Sequence, residues 1–239
     1  MNIILCGSNW IGCRALDHIG KIAANIFVYT HEEEYYIPSL SQYCTTRGVA
    51  CTTEKISIKN LPFRPDLLIS MYYKYIIPPE VLSQVEVGAF NCHPSLLPAY
   101  RGCSSITWAM INGEEYAGFS YHYMTPRVDQ GKIIVQHKVE LFPYENQINA
   151  YQRIMFAAAD HFIEALNRVI ERHEGYDQLG NSSWNRRGAP FSGIIDENWS
   201  DDKVKRFIRA MISPPLPLAK FKGISISSFE DYKNLRGYD

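Results

Sequence analysis

Three side chains capable of chemistry lie within five positions of one segment: the amide of Asn91, the imidazole of His93 and the hydroxyl of Ser95, in Phe90-Asn91-Cys92-His93-Pro94-Ser95-Leu96-Leu97-Pro98-Ala99-Tyr100-Arg101-Gly102. The segment starts as the end of a strand, and its two prolines and glycine then force irregular backbone. In an extended chain alternate side chains share a face, so Asn91 and His93 point the same way. An N–H donor for a developing oxyanion beside a base is the pair that acyl transfer needs. A second segment, Tyr121 to Ile134, adds the Asp129 carboxylate on a turn between two strand-like runs. Such a carboxylate orients an imidazole or stabilises its charged form. Each residue has a plainer use alone: a histidine after a strand can be structural, Asn91 can cap a turn, and Asp129 in Val-Asp-Gln-Gly suits a turn. Their joint occurrence is what argues for chemistry. Cys92 and Cys103 flank the motif with nothing nearby to favour a thiolate, and read as packing residues.

The elements that must position these groups follow from periodicity. Asn2–Cys6 is an apolar run of the kind buried in parallel sheets. Gly7–Gly12 is a loop, followed by a helical pattern to Ile22. The loop lacks G-x-G-x-x-G, so it reads as a plain strand-to-helix turn rather than a phosphate cradle. Ile26–Thr30 is a second strand, and His31 to Tyr36 a polar, acidic loop with His31 in solvent. Leu67–Ser70 is a third strand, running into Met71-Tyr72-Tyr73-Lys74-Tyr75-Ile76-Ile77-Pro78-Pro79. Loops at the carboxyl ends of parallel strands are where ligands bind. Met71, Tyr73, Tyr75 and Ile76 offer an apolar slot for a flat ring, or equally core packing. Lys74 is either solvated or set to meet a phosphate at the rim.

Ala89–Cys92 is the fourth strand. Ser104–Ile111 reads as a helix burying Ile106, Trp108, Ala109 and Met110, ended by Asn112-Gly113. Ala117–Met124 and Lys132–Leu141 alternate as strands and are expected to be antiparallel, giving a mixed sheet. Asn146 to His173 reads as one long helix with Tyr151, Ile154, Ala158, Phe162, Ala165, Leu166 and Val169 inward. His161 and His173 do not show the two-ligand, four-residue pattern of a helical metal site and read as surface or helix-end histidines. Gly180 to Pro190 is a polar connector with Arg186 and Arg187. Ser200-Asp201-Asp202 caps a helix carrying Val204, Phe207, Ile208 and Met211, stopped by Pro214-Pro215, and Lys220–Ser227 suits a strand or hairpin.

At 239 residues the chain fits one large domain, 1–180, with an appendage, 181–239. Lys plus Arg number 24 against 25 Asp plus Glu, a net charge of −1, which gives no footprint for bulk nucleic-acid binding. No apolar run approaches a membrane span. The start enters a strand without a signal-peptide pattern, and the six cysteines include no C-x-x-C pair, so reduced thiols and a cytoplasmic location are expected.

The pattern His-x-Ser-Leu-Leu-Pro-x-x-Arg-Gly, then a strand and Asp-x-Gly-x-Ile-Ile, resembles the folate-dependent formyltransferases. The resemblance implies a Rossmann-like α/β fold, a mixed, mainly parallel sheet flanked by helices, with a short C-terminal α+β appendage. It implies a catalytic trio at Asn91, His93 and Asp129, and 10-formyltetrahydrofolate as co-substrate with no metal. Met71, Tyr73, Tyr75, Ile76, Leu97 and Met124 are the positions it suggests for folate. The Thr125-Pro126 pair departs from the acidic residue often found after the family's methionine, which leaves side-chain contacts there open. Pro190-Phe191-Ser192-Gly193-Ile194-Ile195-Asp196 and Phe207-Ile208-Arg209-Ala210 resemble the tail of the sugar-nucleotide group. The acceptor so implied is a nucleotide-linked amino sugar, with dTDP-4-amino-4,6-dideoxyglucose as the first expectation and surface polysaccharide as the destination of the product. Arginine's fork suits a diphosphate, so Arg187 and Arg209, with Lys74, are the expected acceptor contacts. A homodimer is expected, with no nucleic-acid partner and no membrane insertion. A glycinamide ribonucleotide transformylase and a non-catalytic binding module are the alternatives.

Overall fold

A computed structural model describes residues 1–34 and 36–237. Tyr35, within the acidic loop, and Tyr238 and Asp239, at the end of the tail, lie outside the described residues. In chain order the elements are β1 (Asn2–Gly7), α1 (Asn9–Ile19), β2 (Asn25–Tyr29), α2 (Leu40–Arg47), β3 (Ala50–Thr52), β4 (Leu67–Met71), α3 (Pro79–Leu82), β5 (Gly88–His93), β6 (Arg101–Gly102), α4 (Ser105–Asn112), β7 (Tyr116–Tyr123) and β8 (Ile133–Glu140). There follow α5 (Gln147–Asp160), α6 (Phe162–Ile170), β9 (Trp184–Asn185), α7 (Asp201–Met211), β10 (Ala219–Phe221), β11 (Ile224–Ile226) and α8 (Phe229–Arg236).

Seven strands form one sheet in the order β3-β2-β1-β4-β5-β7-β8. The pairs β2–β3, β1–β2, β1–β4 and β4–β5 are parallel, and β7 runs antiparallel to β5. The mixed, mainly parallel sheet expected from the strand patterns is therefore present. Ile3, Ile4, Leu5, Cys6, Leu67, Leu68 and Ile69 are all fully buried, as uninterrupted apolar runs in a covered parallel sheet must be. Burying each of these aliphatic side chains stabilises the fold by about 1.5–3 kcal/mol.

The chain divides into two compact units. The first comprises residues 1–93, 120–136 and 157–179. Its core joins Ile4, Cys6, Tyr29 and Leu68 to Ile56, Ile77 and Val81. Ile77 thus anchors the far end of the loop that leaves β4. At the start of α1 the Glu33 carboxylate accepts from the Ser8 hydroxyl and the Asn9 N–H, and from the Leu40 N–H at 3.0 Å. A side-chain anion therefore occupies the position where a phosphate would sit at a helix N-terminus. His31 departs from expectation: it is half-buried, its ring 6.3 Å from Tyr73 and 6.2 Å from Tyr75.

The long helix expected from Asn146 to His173 is instead two, α5 and α6, broken at His161. The Tyr121 hydroxyl donates to the Ala158 carbonyl at 2.7 Å, and the His161 N–H takes the same carbonyl at 3.1 Å. That carbonyl is the one an unbroken helix would offer to Phe162, so the break follows from a strand side chain claiming a helix acceptor. Strand β3 and helices α2 and α8 were not expected from the sequence.

The second unit comprises residues 94–119, 137–156 and 180 onward. Here α7 buries Val204, Phe207, Ile208 and Met211, and the Ser200 hydroxyl accepts from the Lys203 N–H. Beside α4, the Arg206 Nε donates to the Ile111 carbonyl at 3.1 Å. Rings run from Trp108 to Phe191 (5.3 Å), to Trp199 (4.9 Å) and to Phe207 (5.1 Å). The hairpin expected near Lys220–Ser227 is β10–β11. Tail residues thus share a unit with α4 rather than standing apart.

Candidate active site

The site grows from the junction of β5 with β7. Across this antiparallel pair Asn91 lies opposite His122, and His93 opposite Ser120. Because strand side chains alternate, Asn91, His93 and His122 emerge on one face. Asp129 reaches the same place from the turn between β7 and β8. That turn is closed by the Tyr123 N–H on the Lys132 carbonyl at 2.9 Å and by the Thr125 hydroxyl on the Arg127 carbonyl at 2.8 Å. Gly131 is required for it: a Cβ there would lie 1.8 Å from the Tyr123 carbonyl oxygen. Asp129 itself is held at φ 55, a left-handed conformation that costs roughly 1 kcal/mol for a residue with a side chain.

His93, His122 and Asp129 are 5%, 2% and 7% exposed. His93 Nδ1 is 3.7 Å from Asp129 Oδ2, and His122 Nε2 is 3.5 Å from Asp129 Oδ1. One carboxylate therefore faces two imidazoles. The His93 separation exceeds a hydrogen bond. At an effective dielectric near 20, opposite charges that far apart still attract by about 4 kcal/mol before desolvation. Asp129 is thus placed to stabilise an imidazolium at His93.

His122 Nδ1 is 2.9 Å from the Tyr123 carbonyl, and Asn91 Nδ2 is 3.2 Å from His122 Nε2. A carbonyl only accepts, so Nδ1 carries the ring proton. In the neutral ring Nε2 then accepts one N–H of Asn91, which fixes the amide and leaves its second N–H for another oxygen. His122 was not picked out from the sequence. The signal was there: it alternates with Tyr121 and Tyr123 on a strand whose partner carries Asn91. Burial pushes the Cys92 thiol up to about 12, so it stays neutral and packs, as the sequence reading had it.

The residues suggested for folate fall in both units. Met71 ends β4 and is buried. Tyr73 and Tyr75 meet edge to face at 5.4 Å. The Tyr73 hydroxyl accepts from the Ile56 N–H at 3.2 Å, and Lys55 and Lys74 lie 4.7 and 5.1 Å from the Tyr75 ring centre. Met124 packs on the core beside them. Tyr72 and Ile76, on the loop at the carboxyl end of β4, are 47% and 74% exposed. Leu97 is buried in the second unit. Among the acceptor candidates, Lys74 and Arg187 are exposed. Arg209 Nη1 donates to the Phe142 and Glu145 carbonyls at 3.2 and 2.9 Å.

The model of the Formyl transferase family matches residues 23–166. The GDP-perosamine N-formyltransferase of Brucella melitensis biotype 1 is 37% identical over 209 residues, which span 85% of this chain and 79% of that protein. Among solved structures, WlaRD, a sugar 3N-formyl transferase crystallised with dTDP and 5-N-formyl-THF, superposes with a TM-score of 0.78 at 19% identity, covering 95% of this chain and 85% of that one. The N-formyltransferase from Helicobacter canadensis in complex with folinic acid and dTDP-3-aminofucose gives 0.77 at 19% identity, covering 95% and 86%. These structures share the fold, and the family match joins the motif positions to it: the chain belongs to the formyl transferase family.

Proposed function

We propose that this protein transfers a formyl group from 10-formyltetrahydrofolate to the amino group of a nucleotide-linked amino sugar. The observation that carries the reading is the cluster of Asn91, His93, His122 and Asp129 at the ends of β5 and β7. It is supported by 37% identity to a sugar-nucleotide N-formyltransferase over most of both chains. The folate co-substrate supplies an activated one-carbon acyl group. The apolar surface of Tyr72 and Ile76, on a loop anchored by Ile77, fits a pterin-like ring.

The residues act as follows. His93 takes a proton from the attacking amine as its nitrogen bonds the formyl carbon, and returns a proton to the folate nitrogen as the carbon–nitrogen bond to folate breaks. Asp129 stabilises His93 while it is charged. Asn91, held by His122, presents its remaining N–H to the oxygen that becomes negative, a contribution commonly of about 3–4 kcal/mol. Burial of His93, His122 and Asp129 limits competing water around them.

For the acceptor, Phe191 and Trp199 of the second unit meet at 4.9 Å, and Lys203 Nζ lies 5.1 and 4.1 Å from their ring centres. Rings beside a cation suit a base and its phosphates. Arg187, Arg209 and Lys74 remain candidates for the diphosphate. One relative is named for GDP-perosamine, and one structural neighbour is in complex with dTDP-3-aminofucose, so GDP-perosamine and the dTDP-4-amino-4,6-dideoxyglucose expected from the sequence are the acceptors to try first. The product would be an N-formylated sugar for surface polysaccharide. The test is an assay of pure protein with 10-formyltetrahydrofolate against both, with glycinamide ribonucleotide beside them. Preference for glycinamide ribonucleotide would replace the acceptor class, and no transfer to any would refute the reading.

A further inference from the structure

Beyond α6 the chain returns along the start of β8. The Ile133 N–H donates to the Tyr176 carbonyl at 2.8 Å, and the Tyr176 N–H to the Ile133 carbonyl at 2.9 Å. Two residues later, half-buried Gln178 turns its side-chain amide on the catalytic turn. Its Nε2 donates to the Asp129 carbonyl at 2.9 Å and to the Gly131 carbonyl at 2.8 Å. An amide nitrogen carries two N–H groups, and they go to the carbonyls of the two residues that flank Gln130.

The consequence is specific to Asp129. Its backbone is in the left-handed region at φ 55, which the local chain does not favour. Its carbonyl and its carboxylate leave the same Cα. Fixing the carbonyl therefore limits rotation of the peptide that follows, and with it the aim of the carboxylate between His93 and His122. Within the turn the Thr125 hydroxyl and the Gln130 N–H bond to the Arg127 carbonyl. The Gln130 N–H ties one edge of the peptide that follows Asp129, and Gln178 ties the opposite edge through the Asp129 carbonyl oxygen.

We infer that Gln178 is a positioning residue for the proposed formyl transfer, acting through the Asp129 and Gly131 carbonyls; the inference rests on the functional reading above. Its amide N–H bonds go to backbone carbonyls of the turn. Its removal should lower turnover and leave binding nearly unchanged, because a misaimed carboxylate weakens stabilisation that is needed only once His93 is charged.

The experiment uses the full chain with two substitutions. Gln178→Met keeps the length of the side chain and donates nothing. Its kcat should fall about tenfold or more, with KM for folate and acceptor within about threefold and the melting temperature nearly unchanged. Amide hydrogen exchange over residues 127–131 should quicken about tenfold, with the rest of the sheet unaltered. Gln178→Glu can donate only when protonated, and the two carbonyls and Asp129 raise its pKa. Its kcat relative to the unaltered protein should therefore be several-fold higher at about pH 5.5 than at about pH 8. The same ratio for Gln178→Met should stay flat. A Gln178→Met protein with kcat within about twofold of normal overturns the inference. So does a flat ratio for Gln178→Glu combined with raised KM values, which would make the residue a structural tie. If the unaltered protein transfers no formyl group, the functional reading fails. The exchange measurement then decides the role of Gln178 alone: unchanged protection over 127–131 refutes it, and faster exchange upholds its hold on the turn.

Discussion

Asp129 faces two histidines, and the proposed mechanism gives its neighbours separate roles in charge and orientation. His93→Ala, Asn91→Ala and Asp129→Ala should each lower kcat by about a hundredfold or more, the usual size of an acid–base or oxyanion contribution, with far-ultraviolet circular dichroism unchanged. His122→Ala should cost less, about tenfold, because it removes the hold on Asn91 and not the donor itself. Equal losses at Asn91 and His122 would instead give His122 a direct part. A separate expectation concerns pH. The buried Cys92 thiol has its pKa raised to about 12. A group whose folded pKa is raised contributes stability below its unfolded pKa and loses it as pH climbs through the folded value. Unfolding free energy should therefore decline between about pH 9 and 12, and Cys92→Ala should lessen that slope by up to about 1.4 kcal/mol per pH unit. Urea titrations across this range check it. An unchanged slope would show that Cys92 ionises as freely folded as unfolded.

At the scale of elements, the hairpin β7–β8 carries the heaviest constraint. A Cβ on Gly131 would lie 1.8 Å from the Tyr123 carbonyl. Gly131→Ala should therefore destabilise the protein by about 2–4 kcal/mol and lower turnover together, read by thermal melting and by assay. Stability close to normal would mean that the turn relaxes at little cost. The elements legible in the sequence were those with strong period or punctuation: β1, β4, β5, the β7–β8 pair, and α7 between its serine cap and its prolines. That Asn91, His93 and Asp129 come together was legible because their motifs are local. What escaped depends on distant partners. The break at His161 is set by the Tyr121 hydroxyl, from a strand 40 positions earlier. Short β3 and weakly patterned α2 are held by neighbours rather than by their own periodicity. His122 was visible as an alternating strand residue, but its role needs the register that sets it opposite Asn91. His31 was read as solvated because its loop is acidic, whereas the Tyr73 and Tyr75 rings cover it.

On the whole-molecule scale, the Asn91–His93–Asp129 cluster lies in the first unit, and exposed Phe191 with half-buried Trp199 in the second. Among the described residues no helix is long and apolar enough to cross a membrane. If the second unit serves the acceptor, Trp199→Ala should raise KM for the sugar nucleotide about tenfold or more and leave KM for folate within about twofold. Equal KM values for both proteins would remove these rings from the acceptor site. Deleting residues 181–239 is a poorer test, because α7 covers α4 within that unit and its loss would uncover buried Ile106 and Met110. The central claim is formyl transfer to an amino-sugar nucleotide by the Asn91–His93–Asp129 cluster. Its most direct measurement is the N-formylated product, by mass spectrometry, from 10-formyltetrahydrofolate and each candidate acceptor, with unaltered protein and with folded His93→Ala. The account predicts product from at least one amino-sugar nucleotide and a rate about a hundredfold lower or less in the variant. Product at an equal rate from folded His93→Ala, or none from any amino-sugar nucleotide, would contradict it.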